Sequence, residues 1–123
     1  MQEYVSKRIA LGLRGENLAA EHLAAAGYRI LDRNWRCRQG EIDIIASKGE
    51  VVAFVEVKTR SSLAYGHPFE AITPTKLARL RRLAAVWCAE NDPHVPVIRI
   101  DVIAVLLPSG GTNTIEHLSG VYS

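Results

Sequence analysis

Two closely spaced strand-like segments, residues 41–46 and 51–60, constrain the fold of this chain most strongly. Only four residues, Ser47-Lys48-Gly49-Glu50, separate them, which predicts an antiparallel β-hairpin. The second segment is rich in valine, as buried strands with helices on both faces are. We therefore expect it to be a central strand of a larger sheet.

The two faces of this hairpin differ in polarity, because side chains alternate along a strand. With an even number of residues in the turn, either Lys48-Gly49 or residues 47–50, Asp43 lies across from Phe54 and Glu41 across from Glu56. One face is then wholly apolar and comprises Ile42, Ile44, Ala46, Val51, Ala53, Val55 and Val57. The other face gathers four charged side chains at one end, which are Glu41, Asp43, Glu56 and Lys58.

The charged end of the hairpin predicts a metal site. Carboxylates that lie directly opposite one another destabilise a sheet, and a divalent cation would reverse the sign of that interaction. Hard oxygen ligands of this kind suit Mg²⁺ or Mn²⁺. Lys58 points to the same side as Glu56, where it can orient a water or stabilise an anionic transition state. The alternative is a solvated face with a Lys58–Glu56 ion pair, and an odd-numbered turn would separate Asp43 from Glu56 altogether.

A helix over residues 6–26, ending at Gly27, adds a fourth acid. Glu16 falls on the side of this helix that carries Leu13, Ala19, Ala20 and Leu23. A glutamate on an apolar face is costly unless it is paired or bound to a metal. Beside the hairpin acids it is a candidate additional ligand; the alternative is a rim position or an ion pair with Arg14 or Lys7.

The remaining segments complete an α/β pattern. We predict a strand over 28–36, a helix that begins at Thr73-Pro74 and ends near 91–93, a strand over 95–107 and a short strand over 114–118. The predicted order α-β-β-β-α-β, with one further strand, gives a mixed sheet flanked by helices. A chain of 123 residues fits one domain, residues 1–123.

Positive charge is concentrated in two groups. Lys76, Arg79, Arg81 and Arg82 lie on the second helix, and Arg29, Arg33, Arg36 and Arg38 lie on or beside the first strand. If the four acids proposed above hold a metal, the fifteen Lys and Arg residues exceed the nine other acids by six. Such an excess suits a polyanion, because phosphate contacts dominate nucleic-acid affinity. The alternative is an ordinary solvated helix face.

Other features exclude competing classes of protein. Cys37 and Cys88 form no CxxC pair, which argues against a zinc site or a disulfide framework. The apolar runs are too short to span a bilayer and we recognise no secretory signal, so we expect a cytoplasmic protein without membrane contact. The histidines show no ligand spacing, although His67 remains open as a catalyst. Asp101 alternates with Arg99 and belongs either to the edge of the site or to an ion pair.

Several ordered sequence blocks resemble one known family. They are Gly12-Leu13-Arg14-Gly15-Glu16-Asn17-Leu18-Ala19-Ala20, Gly27-Tyr28-Arg29-Ile30-Leu31, Asn34-Trp35-Arg36-Cys37, Gly40-Glu41-Ile42-Asp43, Phe54-Val55-Glu56-Val57-Lys58-Thr59-Arg60 and Ile72-Thr73-Pro74-Thr75-Lys76. The chain resembles the PD-(D/E)XK nuclease superfamily and, more closely, the uncharacterised bacterial YraN family, which is related to Holliday junction resolvases. Ile42 stands where the name of the superfamily has proline.

The resemblance implies a restriction-endonuclease-like αβββαβ core and metal-dependent cleavage of phosphodiester bonds. Asp43 and Glu56 would bind Mg²⁺ or Mn²⁺ with the Val57 carbonyl, and Glu16 would complete the metal shell as the helix acid does in the resolvase branch. Lys58 would position or activate the attacking water, with Glu41 as an accessory acid. The candidates for contact with DNA are Arg36, Arg38, Arg60, Lys76, Arg79 and Arg82. By analogy with resolvases, which must cut two strands, we expect branched or structured DNA as the partner and a homodimer.

Three hypotheses therefore stand after the sequence alone. The first is a metal-dependent DNA endonuclease selective for branched DNA. The second is a nucleic-acid-binding module that keeps the fold without useful cleavage, and the third is a protein-interaction adaptor. Binding that weakens steeply with salt separates the first two from the third.

Overall fold

The computed structural model describes residues 2–91 and 97–121. In chain order its elements are α1 (Gln2–Ala25), β1 (Arg29–Cys37), β2 (Gly40–Lys48), β3 (Val51–Arg60), a short 3₁₀ helix (Pro68–Ala71), α2 (Pro74–Asn91), β4 (Val97–Leu106) and β5 (Thr114–Leu118). Every predicted helix and strand is present, and α1 begins four residues earlier than predicted. The predicted end of the second helix past Asn91 and the first two residues of the predicted strand 95–107 lie outside the described residues.

The helix ends follow from local chemistry. Gly27 has a φ of 94°, and the Tyr28 N–H donates to the Leu23 carbonyl at 2.9 Å. This is a Schellman end, in which glycine takes the left-handed position. At the start of α2 the Thr73 hydroxyl accepts a hydrogen bond from the Lys76 N–H at 3.2 Å, and Pro74 occupies the first helical position, where no N–H is needed.

The five strands form one sheet in the order β1-β2-β3-β4-β5, with β3 at its centre as predicted. The β1/β2, β2/β3 and β4/β5 pairs are antiparallel, whereas β3 and β4 are parallel. A parallel pair requires a crossover, and α2 supplies it. The fold is therefore a mixed α/β sheet, compatible with a restriction-endonuclease-like core.

Each face of the sheet buries one helix. Ala19 and Leu23 of α1 pack against Ile44, Val55 and neighbouring aliphatic residues on one face. On the other face the predicted leucine stripe of α2 packs against Phe54 and its neighbours; its buried members are Leu77, Leu80, Leu83, Ala84 and Trp87. Leu13, by contrast, is 52% exposed, so the apolar side predicted for α1 is wrong at that position.

The predicted pairing of the hairpin is wrong by two residues. The turn is Gly49-Glu50, so that Lys48 pairs with Val51 and Ile45 with Phe54. This turn puts Gly49 at its first position with a φ of 57°, a conformation that residues with a side chain rarely adopt. The turn still holds an even number of residues, which is why the prediction that Asp43 and Glu56 share a face does not depend on the exact register.

The predicted apolar face is nearly correct. Ile44, Ala46, Ala53, Val55 and Val57 all pack in the α1-side core. Ile42 packs instead with the α2-side core, and Val51 is only half-buried. The pairing of β2 with β3 ends at Ile44 and Val55, whereas β2 stays paired with β1 at Ile42, opposite Trp35.

Candidate active site

The centre of the candidate site is a gap between β2 and β3. Their ladder ends at the pair Ile44–Val55. Beyond it, the Val57 N–H donates to Oδ2 of the Asp43 side chain at 2.8 Å instead of to a backbone carbonyl. The Asp43 carboxylate thus replaces a missing ladder partner at the carboxyl end of the central strand.

The Val57 carbonyl points into the same gap. The carbonyls of Glu50 and Arg60 accept hydrogen bonds from β4 and the residue after it, so even-numbered residues of β3 present their backbone groups to that side. In an extended strand the N–H and C=O of one residue project the same way and those of the next residue project oppositely. Val57 therefore presents both groups toward β2, beside Asp43.

Glu56 and Lys58 lie next to this gap as an ion pair. Nζ of Lys58 is 3.2 Å from Oε1 of Glu56, and their side chains are only 23% and 13% exposed. Lys76, at the start of α2, lies close to Lys58, and the charge of the Lys58 ammonium together with burial lowers the pKa of Lys76. The ion pair considered as an alternative for the hairpin face is thus present, but it is half-buried rather than solvated.

The fourth acid arrives from α1. Gly15 lies against the Thr59 side chain, which fixes the next residue, Glu16, at the end of β3. Oε1 of Glu16 is buried and has no hydrogen-bond partner within the described residues. Burial raises the pKa of Glu16 against the opposing charge of Arg33, and the negative charges of Glu41 and Glu56 raise it further.

The carboxylates repel one another across the gap. Burial, followed by the charge of Glu56, raises the pKa of Asp43 to about 7, and the charges of Glu16 and Glu41 add to the rise. The hydrogen bond from the Val57 N–H opposes it. The charges of Glu56 and Glu16 therefore both act on the Asp43 carboxylate.

These donors fit a hard divalent cation in chemistry, although they do not form a closed cage. Within residues 2–91 and 97–121, no three His, Cys, Asp or Glu side chains form a group able to hold a metal ion. Mg²⁺ usually keeps several waters and takes only one or two carboxylates, with substrate phosphates supplying further ligands. Asp43, Glu56 and the Val57 carbonyl match that open arrangement, and the unpartnered Oε1 of Glu16 is available beside them.

Comparison with known proteins places the chain in one family. The model of the uncharacterised protein family UPF0102 matches residues 15–105. The chain belongs to the UPF0102 family. This confirms the predicted resemblance to the YraN family.

The UPF0102 relatives match nearly end to end. The UPF0102 protein of Beutenbergia cavernae is 57% identical over 112 residues, which are 91% of this chain and 95% of the relative. That of Arthrobacter sp. (strain FB24) is 57% identical over 111 residues, 90% of this chain and 94% of the relative. A third, from Renibacterium salmoninarum, is 54% identical over 114 residues, 93% of this chain and 97% of the relative.

Glu41 does not lie where the predicted register put it. Instead of facing Glu56, it pairs with Arg36 of β1, whose Nε is 2.8 Å from Oε2 of Glu41. Both side chains are largely exposed. In this UPF0102 protein Glu41 acts on the site only through its charge, which raises the pKa of Asp43 and Glu16.

The basic candidates are placed unevenly around the site. Arg38, Arg79 and Arg82 are exposed, while Arg60 is half-buried at the end of β3. Lys76 lies closer to the site than predicted, against Lys58.

Two residues beside Glu16 were missed by the sequence reasoning. Arg33 donates from Nη2 to Oδ1 of Asn17 at 2.9 Å and supplies a positive charge near Glu16. Asn34 lies near enough to Glu16 to oppose the rise in its pKa, and it has a φ of 51°, a left-handed conformation within β1. Asparagine is among the residues that tolerate this conformation best, so an asparagine inside a predicted strand was the available signal.

The polar residues left open by the sequence are structural. Asp101 is fully buried and accepts hydrogen bonds from Arg99, His117 and the Gly120 N–H. His67 caps the 3₁₀ helix and pairs with Glu116 at 2.8 Å. Cys37 and Cys88 are free thiols, as expected. Within the described part of the chain, no helix is both long and apolar enough to cross a membrane.

Proposed function

We propose that this UPF0102 protein is a metal-dependent endonuclease that hydrolyses phosphodiester bonds in DNA. The supporting observation is that the Asp43 carboxylate, at the open end of β2 and β3, lies near enough to Glu56 and Glu16 to feel their charges, with Lys58 paired to Glu56. Burial, followed by the charge of Glu56, raises the pKa of Asp43 to about 7. A bound cation would stabilise the ionised forms of carboxylates that burial and mutual repulsion disfavour.

Asp43, Glu56 and the Val57 carbonyl are the proposed ligands of Mg²⁺ or Mn²⁺, with Glu16 completing the set. The metal would supply charge stabilisation to the phosphate and lower the pKa of a nearby water. The protein holds Asp43 in place through the Val57 N–H. It also keeps Glu16 next to the tight contact of Gly15 with Thr59.

Lys58 is the proposed positioning group for the attacking water. Its ammonium contacts Glu56 at 3.2 Å and is mostly shielded from solvent. When Glu56 turns to a cation, the lysine is left with free donors that can hydrogen-bond to a water or to a phosphate oxygen. Lys76 adds a second positive charge beside it, which favours an anionic substrate at this spot.

We further propose branched DNA, such as a Holliday junction, as the substrate, a homodimer as the active species and the cytoplasm as its location. Supporting observations for DNA are the exposed basic side chains of Arg38, Arg79 and Arg82. The homodimer is proposed only because two strands of a junction must be cut.

The decisive experiment incubates the purified protein with labelled four-way, flapped and linear DNA in the presence of Mn²⁺ or Mg²⁺. We expect nicking of branched DNA, abolished by chelator and reduced at least about 100-fold by Lys58→Ala or Asp43→Asn. Lys48→Ala is the matched control, because Lys48 is an exposed lysine that bonds only the Ala26 carbonyl among the hydrogen bonds described. Nicking that survives Lys58→Ala would contradict the assignment.

A nucleic-acid-binding module without cleavage is the second candidate. The half-buried Lys58–Glu56 ion pair and the lack of a closed three-acid cage among the described residues favour it. Calorimetric titration of Mg²⁺ or Mn²⁺ into wild type and Asp43→Asn separates the two functions. Equal heats of metal binding in both proteins would favour the module. A DNA affinity that does not change with salt concentration would favour a protein adaptor instead.

A further inference from the structure

A groove of about 620 Å³ opens beside the candidate site, between the first half of α1 and the chain after β3. Lys7 and Arg8 line it from α1, and Arg60 lines it from the end of β3. None of the described residues that line this groove is acidic, and of its cations Lys7 forms an exposed ion pair with Glu3 at 3.8 Å. The groove is therefore a positively charged channel on the α1 side of the sheet.

The groove continues from the site itself. Thr59 lines it and touches Gly15, which is the residue before Glu16. Lys58, which precedes Thr59 in β3, lies on the other face of the sheet, beside Lys76 of α2. A nucleic-acid strand lying in the groove would therefore approach the site from the side of Glu16.

Tyr65 forms one wall of the groove and is 96% exposed. The turn that carries it is held by hydrogen bonds: the Gly66 N–H donates to the Leu63 carbonyl at 3.0 Å, and the His67 N–H donates to Glu70 at 3.1 Å. Gly66 has a φ of 96°, which permits this tight turn. The ring is therefore displayed to solvent by an ordered backbone.

A displayed aromatic ring next to a basic channel matches one class of ligand. Proteins that bind single-stranded nucleic acid combine a cationic groove for the backbone with aromatic side chains on which bases stack. A base inside a duplex is already stacked on both faces and offers no ring to Tyr65. An acidic peptide would satisfy the cations but would leave the exposed ring without a partner.

We propose that this groove holds a single-stranded segment of the nucleic acid, with a base stacked on Tyr65 and phosphates on Lys7, Arg8 and Arg60. The inference rests on the proposed function, because the strand in the groove is taken to continue into the site. It assigns Tyr65 as a positioning residue that selects substrates with an unpaired arm or flap.

The test measures DNA binding by fluorescence anisotropy in chelator, so that no strand is cleaved. The probes are a blunt duplex and the same duplex with a single-stranded extension. Tyr65→Ala should weaken binding of the extended probe about 5- to 150-fold, the range expected for losing one stacked base. Tyr65→Phe keeps the ring and should bind within about twofold of wild type.

Two controls isolate the role of the ring. Leu63→Ala changes an exposed apolar residue of the same turn, and it should leave binding of both probes unchanged. The blunt duplex should bind Tyr65→Ala and wild type equally. Circular dichroism melting of each variant confirms that the fold is retained.

The outcomes separate this inference from the proposed function. If wild type nicks branched DNA but Tyr65→Ala binds the extended probe normally, the groove assignment is wrong and the nuclease stands. If Tyr65→Ala loses the extended probe while wild type never cleaves, the groove stands and the nuclease is wrong. If wild type binds neither probe, both are overturned.

Discussion

Asp43 is held in the protein under two opposing influences. The Val57 N–H stabilises its charged form, whereas burial and the neighbouring Glu56 destabilise it and prevail, so that its pKa reaches about 7. An aspartate in the unfolded chain has an ordinary pKa of about 3.8. Between these values the folded protein binds more protons than the unfolded one, and its free energy of unfolding therefore falls as the pH rises.

Asp43→Asn should consequently stabilise the metal-free protein in a pH-dependent way. The amide keeps an oxygen that can accept from the Val57 N–H but carries no charge to bury. In chelator, we expect the free energy of unfolding of the variant to exceed that of wild type increasingly from about pH 4 upward. The difference should reach a plateau above pH 8. The gain is at most on the order of 4 kcal/mol. Urea denaturation across this pH range measures it, and a difference that does not change with pH would contradict the account.

The residues of the site differ in how far the sequence can predict them. Asp43, Glu56 and Lys58 fall on one side of the hairpin whenever the turn is even, so their grouping needs no knowledge of the exact register. Lys76 and Asn34 could not be placed in this way. Lys76 lies near Lys58 because α2 crosses back over the sheet. Asn34 lies near Glu16 in a left-handed conformation inside β1.

Helix α1 and strand β3 approach most closely where Gly15 meets Thr59. A Cβ at position 15 would lie 2.7 Å from Cγ2 and 2.8 Å from Cβ of Thr59. Gly12, three residues earlier on the same helix, has no atom within 4 Å of an added Cβ. The two glycines therefore form a matched pair, one required by packing and one not.

Alanine substitutions at these two positions should have opposite effects. Gly15→Ala pushes α1 from the sheet and should lower the free energy of unfolding by about 1–3 kcal/mol. Gly12→Ala replaces a residue that weakens the helix, and it should raise the free energy of unfolding by about 0.5–1 kcal/mol. Urea denaturation of both variants tests this, and destabilisation of similar size in the two proteins would argue against the Thr59 contact.

Strands β4 and β5 are joined by the buried carboxylate of Asp101. Burial alone would raise the pKa of Asp101, but the hydrogen bonds from His117, Arg99 and the Gly120 N–H together lower it. Tyr28 extends this group by accepting a hydrogen bond from Arg99. A carboxylate with a lowered pKa contributes stability above its unfolded pKa and loses it in acid.

Asp101→Asn should destabilise the fold by about 3–5 kcal/mol at neutral pH, because it leaves the Arg99 charge without its partner. The deficit relative to wild type should shrink as the pH falls below about 4, where aspartate becomes protonated in the unfolded chain. Thermal or urea denaturation from pH 3 to 8 measures both effects. A deficit that grows in acid would contradict the role assigned to the charge.

The hairpin shows why element boundaries were predictable but register was not. Valine-rich alternation and a glycine in the turn fix the existence of β2 and β3. The choice between Lys48-Gly49 and Gly49-Glu50 depends on which turn position takes the positive φ, and a single sequence does not reveal that.

Across the whole molecule, the charge is unevenly divided. The net charge is only +2, yet acids gather at the site while Arg38, Arg79 and Arg82 are exposed around it. A surface of this kind releases counterions when it binds a polyanion, and each phosphate contact contributes about −0.9 to the slope of log K against log salt.

The expected salt slope for duplex DNA is about −3.5 to −5.5, which corresponds to roughly four to six phosphate contacts. Arg82→Ala should reduce its magnitude by about 1. Arg29→Ala is the matched control, since Arg29 is an exposed arginine paired with Ser47 at the opposite, turn end of the hairpin. Anisotropy titrations over a range of salt concentrations check both values, and equal losses in the two variants would argue against a localised DNA surface.

The hydrogen bond between the Val57 amide and the Asp43 side chain has a wider consequence. Where β3 faces β4, its backbone is held by hydrogen bonds between the two strands, and these cannot be altered without unfolding the sheet. At Val57 it is secured by a titratable, replaceable group. Protonation of Asp43 can therefore weaken the hydrogen bond of the Val57 amide without unfolding the sheet, next to the Glu56 and Lys58 side chains.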